Sequence, residues 1–249
     1  MAAIDLNSDL GEGVGDDTAM FGIVTSANVA CGGHAGDDES MRACVALAIE
    51  HGVSLGAHPS YPDREGFGRR ALEIGAAELR DELLRQLEAL TAIATRAGKR
   101  IRYLKPHGAL YNRIAVDPVQ ADAVALAAGD AALPLLGLAG SAIHTAADRH
   151  GVAFFREAFA DRAYLPDGTL APRSIDGAVI TDPLVAAERA VRMAVDGRVE
   201  TLDGTLVRVE VDSLCVHGDT PGAVAMAAAV RERLAAAGVE LRAFARHRA

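Results

Sequence analysis

Carboxylates, histidines and a lysine recur in this chain beside glycine and proline, at spacings that suit proton transfer, anion binding or metal ligation. Asp9 and Glu12 share the segment Asn7-Ser8-Asp9-Leu10-Gly11-Glu12-Gly13. In such a pair one carboxylate can stay charged while the other titrates, which serves acid–base chemistry. Taken alone, the segment reads equally well as an acidic turn with a helix cap. His34 follows in Asn28-Val29-Ala30-Cys31-Gly32-Gly33-His34-Ala35-Gly36-Asp37, a glycine-rich loop whose amides could face an anion or an oxyanion. The loop lacks the order and the lysine of a phosphate-binding P-loop. An isolated histidine in such a place is more often a hydrogen-bonded loop residue.

His58 stands in Gly56-Ala57-His58-Pro59-Ser60-Tyr61-Pro62-Asp63, where two prolines stiffen the chain after it. Arg69 and Arg70 could grip a carboxylate or phosphate by forked hydrogen bonds, although a solvated pair is the commoner role. Lys105 closes an apolar run and precedes His107. A lysine buried there needs a carboxylate or an anionic substrate. Weaker clusters are Glu157-Ala158-Phe159-Ala160-Asp161-Arg162 and Cys215-Val216-His217-Gly218-Asp219. His51, His144, His150 and His247 lie in helical or terminal segments and read as surface or capping groups. The cysteines Cys31, Cys44 and Cys215 have no adjacent histidine motif and read as small buried residues.

Seven short apolar runs must position these groups: Ile4 to Asn7, Ser26 to Ala30, Val53 to Ala57, Ile101 to Leu104, Leu133 to Leu138, Val152 to Phe155 and Val211 to Val216. Each is short enough for a buried strand. Helical spacing separates them. Leu79, Leu83, Gln86, Leu87, Leu90 and Ala94 form the clearest stripe, ending at Gly98. Asp37-Asp38-Glu39 opens another helix, and Asp117-Pro118, Asp182-Pro183 and Thr220-Pro221 each place a capping side chain before a first-turn proline. Strand and helix thus alternate, which predicts parallel strands joined by right-handed crossovers. The expectation is one α/β domain over 1–249, a distorted seven-stranded β/α (TIM-like) barrel. A long loop and a small hairpin, turning at Asp203-Gly204, are inserted before the last strand. An open doubly wound sheet is the alternative. Nearly every polar cluster follows a strand, which is the catalytic face of such a barrel.

At 249 residues the chain matches this fold's usual size. A net charge of −9 opposes nucleic-acid phosphates and anionic membranes, so neither is an expected partner. The opening MAAIDLNSDLGEG carries acid where a signal peptide needs a basic flank, and no apolar run is long enough to cross a bilayer. With scattered cysteines, this gives a cytoplasmic expectation.

Six blocks carry a family resemblance: DLNSDLGEG at 5–13, SANVACGGHAGD at 26–37, GAHPSYPDREGFGRR at 56–70, KPHGALYN at 105–112, EAFADRAY at 157–164 and CVHGDTPGAV at 215–224. In order, across nearly the whole chain, they resemble the LamB/YcsF family, the A subunit of the prokaryotic ATP-dependent 5-oxoprolinase. The family-typical DLNCDLGE and ACGFHAGD read here with Ser8 and Gly33. The resemblance implies a distorted seven-stranded barrel related in shape to carbohydrate deacetylases. It also implies a reaction in which 5-oxo-L-proline, ATP and two waters give L-glutamate, ADP and phosphate, with subunits B and C as partners. ATP, accompanied by Mg2+, is then the expected cosubstrate.

On this reading Asp9 or Glu12 activates water, and His58 and His107 carry protons. Lys105, with Arg69 or Arg70, holds a substrate carboxylate or a phosphate. Amides near His34 receive the oxyanion, and Asn7, Asn28, Arg162 and Asp219 complete the substrate-binding set. Two alternatives stand beside it. One is a metal-dependent deacetylase or amidohydrolase using Asp9, His34 and His58 as ligands. The other is a scaffold subunit whose catalytic partner lies elsewhere.

Overall fold

Alternation along the first strand governs what the interior holds. A computed structural model describes residues 3–219 and 222–245. In β1 (Ala3–Leu10), Ile4, Leu6 and Leu10 join the apolar core. Asp5, Asn7 and Asp9 occupy the other face, as the period of two along a strand requires. Their bonds run to residues of strands on both sides, so this face is the lumen of a barrel.

The parallel strands β2 (Ser26–Ala30), β3 (Ser54–His58), β4 (Ile101–Leu104), β5 (Leu135–Leu138) and β6 (Phe154–Phe159) follow in chain order. The antiparallel hairpin β7 (Arg198–Glu200) and β8 (Leu206–Arg208) comes next. Then β9 (Ser213–Cys215) pairs with both β6 and β1, closing a barrel of seven parallel strands. The expected TIM-like barrel is therefore the observed fold. A short β10 (Glu240–Leu241), not foreseen, adds to the start of β1. The barrel is distorted where β3 and β4 slip register between Leu55 and Gly56, and where β4 meets β5 through Leu104 and Leu135.

Gly56 has a specific reason at that slip. A Cβ there would lie 2.2 Å from the Tyr103 ring, whose hydroxyl crosses the lumen to donate to Asn28 at 2.7 Å. Only a residue without a side chain leaves the ring its place.

Helices α1 (Asp17–Phe21), α2 (Asp38–Glu50), α3 (Ala76–Arg96), α4 (Gly108–Val116), α5 (Pro118–Asp130), α6 (Ala142–His150), α7 (Pro183–Val191) and α8 (Ala223–Ala236) wrap the outside. Asp117 and Asp182 cap α5 and α7 through their side chains, as expected, and Asp37, read as part of the first turn of α2, is its cap. Gly98 follows α3 at φ 72°. The stripe Leu79, Leu83, Leu87 and Leu90 is buried, each leucine contributing about 1.5–3 kcal/mol. The Thr220-Pro221 start and His247 lie outside the described residues. Besides β10, two features differ from the sequence expectation. β6 runs on to Phe159, so Glu157 lies within the strand, and the expected helix α7 continues into a π-helical turn, Arg192–Asp196, before the hairpin. Among the described residues, no helix is long and apolar enough to cross a membrane.

Candidate active site

The carboxyl ends of the strands bring the polar clusters to one mouth. Asp9 lies near the end of β1, His58 ends β3, Lys105 directly follows β4, and His107 occupies the N-cap position of α4. Glu12 and His34 come from the loops after β1 and β2.

Lys105 is buried in the lumen, with its ammonium between two carboxylates. Nζ is 2.9 Å from Asp9 Oδ1 and 2.8 Å from Glu157 Oε1, and it donates to Asn7 Oδ1 at 3.2 Å and to Cys215 Sγ at 3.2 Å. Burial works against its charge, but the Asp9 and Glu157 carboxylates outweigh burial and hold the ammonium well above its ordinary range. Asn28 Nδ2 donates to Asn7 Oδ1 at 2.7 Å and to Asp9 Oδ1 at 2.8 Å. Asn7 in turn donates to Glu157 Oε1 at 3.0 Å. For Asp9, burial favours the neutral acid, yet His58 and Lys105 outweigh it and keep the carboxylate ionised well below the usual range. Burial pushes the Cys215 thiol far up and that of Cys31 up to about 12, so both remain thiols.

Deeper in the same wall, Glu12 Oε1 lies 2.9 Å from His34 Nε2, and His34 stacks on His107 with ring centroids 3.6 Å apart. Burial pushes the His34 imidazole down to about 4 and lowers His107 as well, so both are neutral near pH 7. Burial raises Glu12, but its imidazole neighbours His107 and His34 outweigh it and keep the group ionised. His58 Nε2 is 3.4 Å from Asp9 Oδ2.

A second unit lies beyond Lys105. Asp161 is buried and accepts from His217 Nδ1 at 2.8 Å and from the His217 amide at 3.1 Å. Burial alone would raise Asp161, but His217 outweighs it and holds the carboxyl below its usual range. This orientation of an imidazole by a buried carboxylate is the arrangement that prepares a histidine for proton transfer.

Asp9, Glu12, His58, Lys105, His107 and His217 all reach one cavity of about 760 Å³. Four arginines, Arg69, Arg113, Arg162 and Arg173, line it too. Arg162 is buried and donates Nη2 to the Ala171 carbonyl at 2.6 Å, while its Nε has no hydrogen-bond partner among the described residues. Burial, and next the charge of Arg173, disfavour its cation, so an anion in the cavity would relieve it. Arg69 pairs with Asp219, and Arg173 Nη1 is 3.8 Å from the same carboxylate.

Not every expected residue reaches the cavity. Asn7, Asn28 and His34 are buried behind it, positioning Lys105, Asp9 and Glu12. Arg70 points elsewhere, because Asp63 and Glu65 in its own loop hold the guanidinium, and its side chain is 57% exposed. Glu157, Asp161, His217 and Arg173 were absent from the expected set. The first three stand in recognised clusters, but their partners are far away in sequence; Arg173 lies in the insertion and carries no motif.

The two departures from the family pattern also have places. Ser8 Oγ donates to the Val216 carbonyl at 2.7 Å. At Gly33 a Cβ would meet Gln86 Oε1 and Ser60 Oγ, each at 2.5 Å, so Gln86 fills the space an aromatic would need.

The LamB/YcsF family profile matches residues 4–249. The 5-oxoprolinase A subunit of Mycobacterium avium (strain 104) is 54% identical over 251 residues, covering 98% of this chain and 100% of the relative. Its counterpart in Mycolicibacterium paratuberculosis (strain ATCC BAA-968 / K-10) is 53% identical over 251 residues, with the same coverage of 98% and 100%. Among solved structures, a lactam utilization protein from Thermus thermophilus superposes with a TM-score of 0.93 at 45% identity, covering 97% of this chain and 100% of that one.

Proposed function

Since the chain belongs to the LamB/YcsF family, we propose that it is the A subunit of an ATP-dependent 5-oxoprolinase and carries the ring-opening site. The observation that supports this most is the shared cavity, where ionised Asp9 and the Asp161-held His217 stand with four arginines. A lactam carbonyl is a poor electrophile. Phosphorylation of its amide oxygen at the expense of ATP, in association with subunits B and C, makes the ring carbon attackable. The chain has no nucleotide-binding loop of the P-loop type, so nucleotide chemistry is assigned to the assembled complex and the Mg2+ to the nucleotide.

In the cavity, Asp9 orients a water toward the ring carbon. His217 takes the water's proton as the carbon–oxygen bond forms, then returns it to the ring nitrogen as the carbon–nitrogen bond breaks. The ring nitrogen becomes the amine of the product, and the phosphate remains on the side-chain carboxyl until a second water releases it. Arg162, with Arg69 and Arg173, receives the phosphate or the substrate carboxylate by charge-assisted bonds. Lys105 keeps Asp9 ionised and fixed. The cavity falls within the usual range for small-molecule sites of ~300–1,000 Å³, so a phosphorylated lactam is not too large for it.

The test is reconstitution: this chain with and without subunits B and C, assayed for glutamate formation and 5-oxoproline-dependent phosphate release. Both activities are expected only when all three are present. Glutamate formation without this chain, or by this chain alone, overturns the assignment.

A further inference from the structure

Four ligating atoms converge beneath the cavity: Glu12 Oε1, His34 Nε2, His58 Nε2 and His107 Nδ1, all within 4.8 Å of one another. Their hydrogen-bond surroundings determine what they offer. His58 Nδ1 lies 2.8 Å from the carbonyl of Lys105, and His107 Nε2 lies 3.0 Å from the carbonyl of Phe67. A carbonyl can only accept, so each of these ring nitrogens carries the hydrogen. In a neutral imidazole the other nitrogen then presents a lone pair. Those two lone pairs, on His58 Nε2 and His107 Nδ1, face each other at 3.0 Å, with Glu12 Oε1 3.2 Å from His107 Nδ1 and 3.9 Å from His58 Nε2. Three acceptors so close repel one another unless a proton or a metal cation sits among them. His34 stays outside this set: its ring stacks on His107 with centroids 3.6 Å apart and planes 2° apart, so no ion can lie in both ring planes, and its Nε2, 2.9 Å from Glu12 Oε1, is placed to donate to that carboxylate.

From this geometry we infer that Glu12, His58 and His107 form a binding site for a divalent transition-metal ion of the Zn2+ class, with water completing its four-coordinate shell and His34 orienting Glu12. Ligands about 2.0–2.1 Å from a tetrahedral Zn2+ stand roughly 3.3–3.4 Å apart, and the observed separations of 3.0, 3.2 and 3.9 Å bracket that value. Imidazole nitrogens with one carboxylate favour zinc-like ions over Mg2+ or Ca2+, which prefer all-oxygen shells.

The outer shell is built to hold the rings in place. Phe67, at φ 54°, adopts a left-handed conformation that is strained for a non-glycine residue, and its carbonyl is the one that accepts from His107. Gly68 follows at φ 65°, where a Cβ would lie 2.8 Å from His34 Cβ and 2.9 Å from His107 Cδ2. Backbone carbonyls that fix ring tautomers are the usual second shell of a histidine metal site. The ligand set differs from the expected Asp9, His34 and His58: Asp9 is engaged by Lys105 and Asn28 and His34 by Glu12, so Glu12 and His107 join His58 instead. A bound ion would supply Lewis acidity next to Asp9 and the cavity. The inference stands apart from the lactam assignment, since its readout is metal content.

The test strips the purified full-length chain with a chelator and titrates Zn2+ calorimetrically, with a Co2+ absorption spectrum as an independent probe of wild-type protein. About one Zn2+ per chain is expected, together with the visible bands of four-coordinate Co2+ and a higher melting temperature with Zn2+ bound. Glu12→Gln and His107→Gln should each weaken Zn2+ binding by about 100-fold or more, whereas Asp161→Asn should leave it unchanged. No binding at 100-fold excess of Zn2+, a six-coordinate Co2+ spectrum, or affinity unaffected by both ligand substitutions would overturn the site and leave a shared proton between His58 and His107.

Discussion

Lys105 Nζ reaches Asp9 Oδ1 across 2.9 Å in the barrel lumen, and Glu157 takes its opposite side at 2.8 Å. One buried cation therefore offsets two buried carboxylates, and these three residues come from β1, β6 and the end of β4. The pairing ties catalytic charge to stability.

Removing that cation should be costly. Lys105→Met leaves two carboxylates without their counter-charge, and a loss of about 3–5 kcal/mol is expected. Urea unfolding should show a lower midpoint with an unchanged m-value. A midpoint equal to wild type would mean that the ammonium contributes no net stabilisation.

The Asp161–His217 pair predicts a specific kinetic signature. Asp161→Asn can no longer hold His217 in one tautomer, and kcat of the assembled complex should drop by about 10²–10⁴-fold. The kcat–pH profile should also lose or shift the limb attributable to His217, a change that mere loosening of the fold does not produce. An unchanged profile assigns proton transfer to another group.

Two arginines given one role by the sequence part company in the structure. Arg162→Gln removes a buried cation that lines the cavity, and KM for 5-oxoproline should rise about tenfold or more, as loss of a charge-assisted bond implies. Arg70→Gln, whose partners are Asp63 and Glu65, should leave both kinetic constants within about twofold of wild type, as surface substitutions usually do. The reverse ranking would place Arg70 at the substrate.

Asp5 predicts a pH dependence of stability. Burial, only partly offset by hydroxyls of Ser213, Ser26 and Thr25, raises its carboxyl from 3.8 to about 6. The protonated form is thus favoured in the fold: its contribution is full below pH ~4, declines as pH rises, and is lost above pH ~6. The difference corresponds to about 3 kcal/mol at most. Asp5→Asn should accordingly lose less thermal stability than wild type between pH 4 and pH 8. Parallel melting curves across that range would show that Asp5 titrates normally.

The strands were legible because each is a short apolar run between turn signals, and the polar clusters because they follow those runs. Ser26 to Ala30 and Ile101 to Leu104 match their strands residue for residue. β6 was read too short for a physical reason: Arg156 and Glu157 look like a strand end, yet Glu157 faces a lumen that is itself polar and finds Lys105 there. The charge partners were not legible. Asp161 meets His217 from the other side of the insertion, and Arg70 is captured by carboxylates in its own loop, choices made by closure of the barrel rather than by local pattern. Nor could sequence spacing select Glu12 and His107 over Asp9 and His34 beside His58, since that depends on which acceptors the Lys105 ammonium occupies and on how the imidazole rings stack.

The central claim is that ring opening takes place in this chain's cavity, and Asp9→Asn in the reconstituted complex tests it most directly. Glutamate formation should fall by about 10²–10⁴-fold, while the fold persists because Glu157 still pairs Lys105, and nucleotide binding by the complex is retained. Glutamate formation at the wild-type rate would contradict the account.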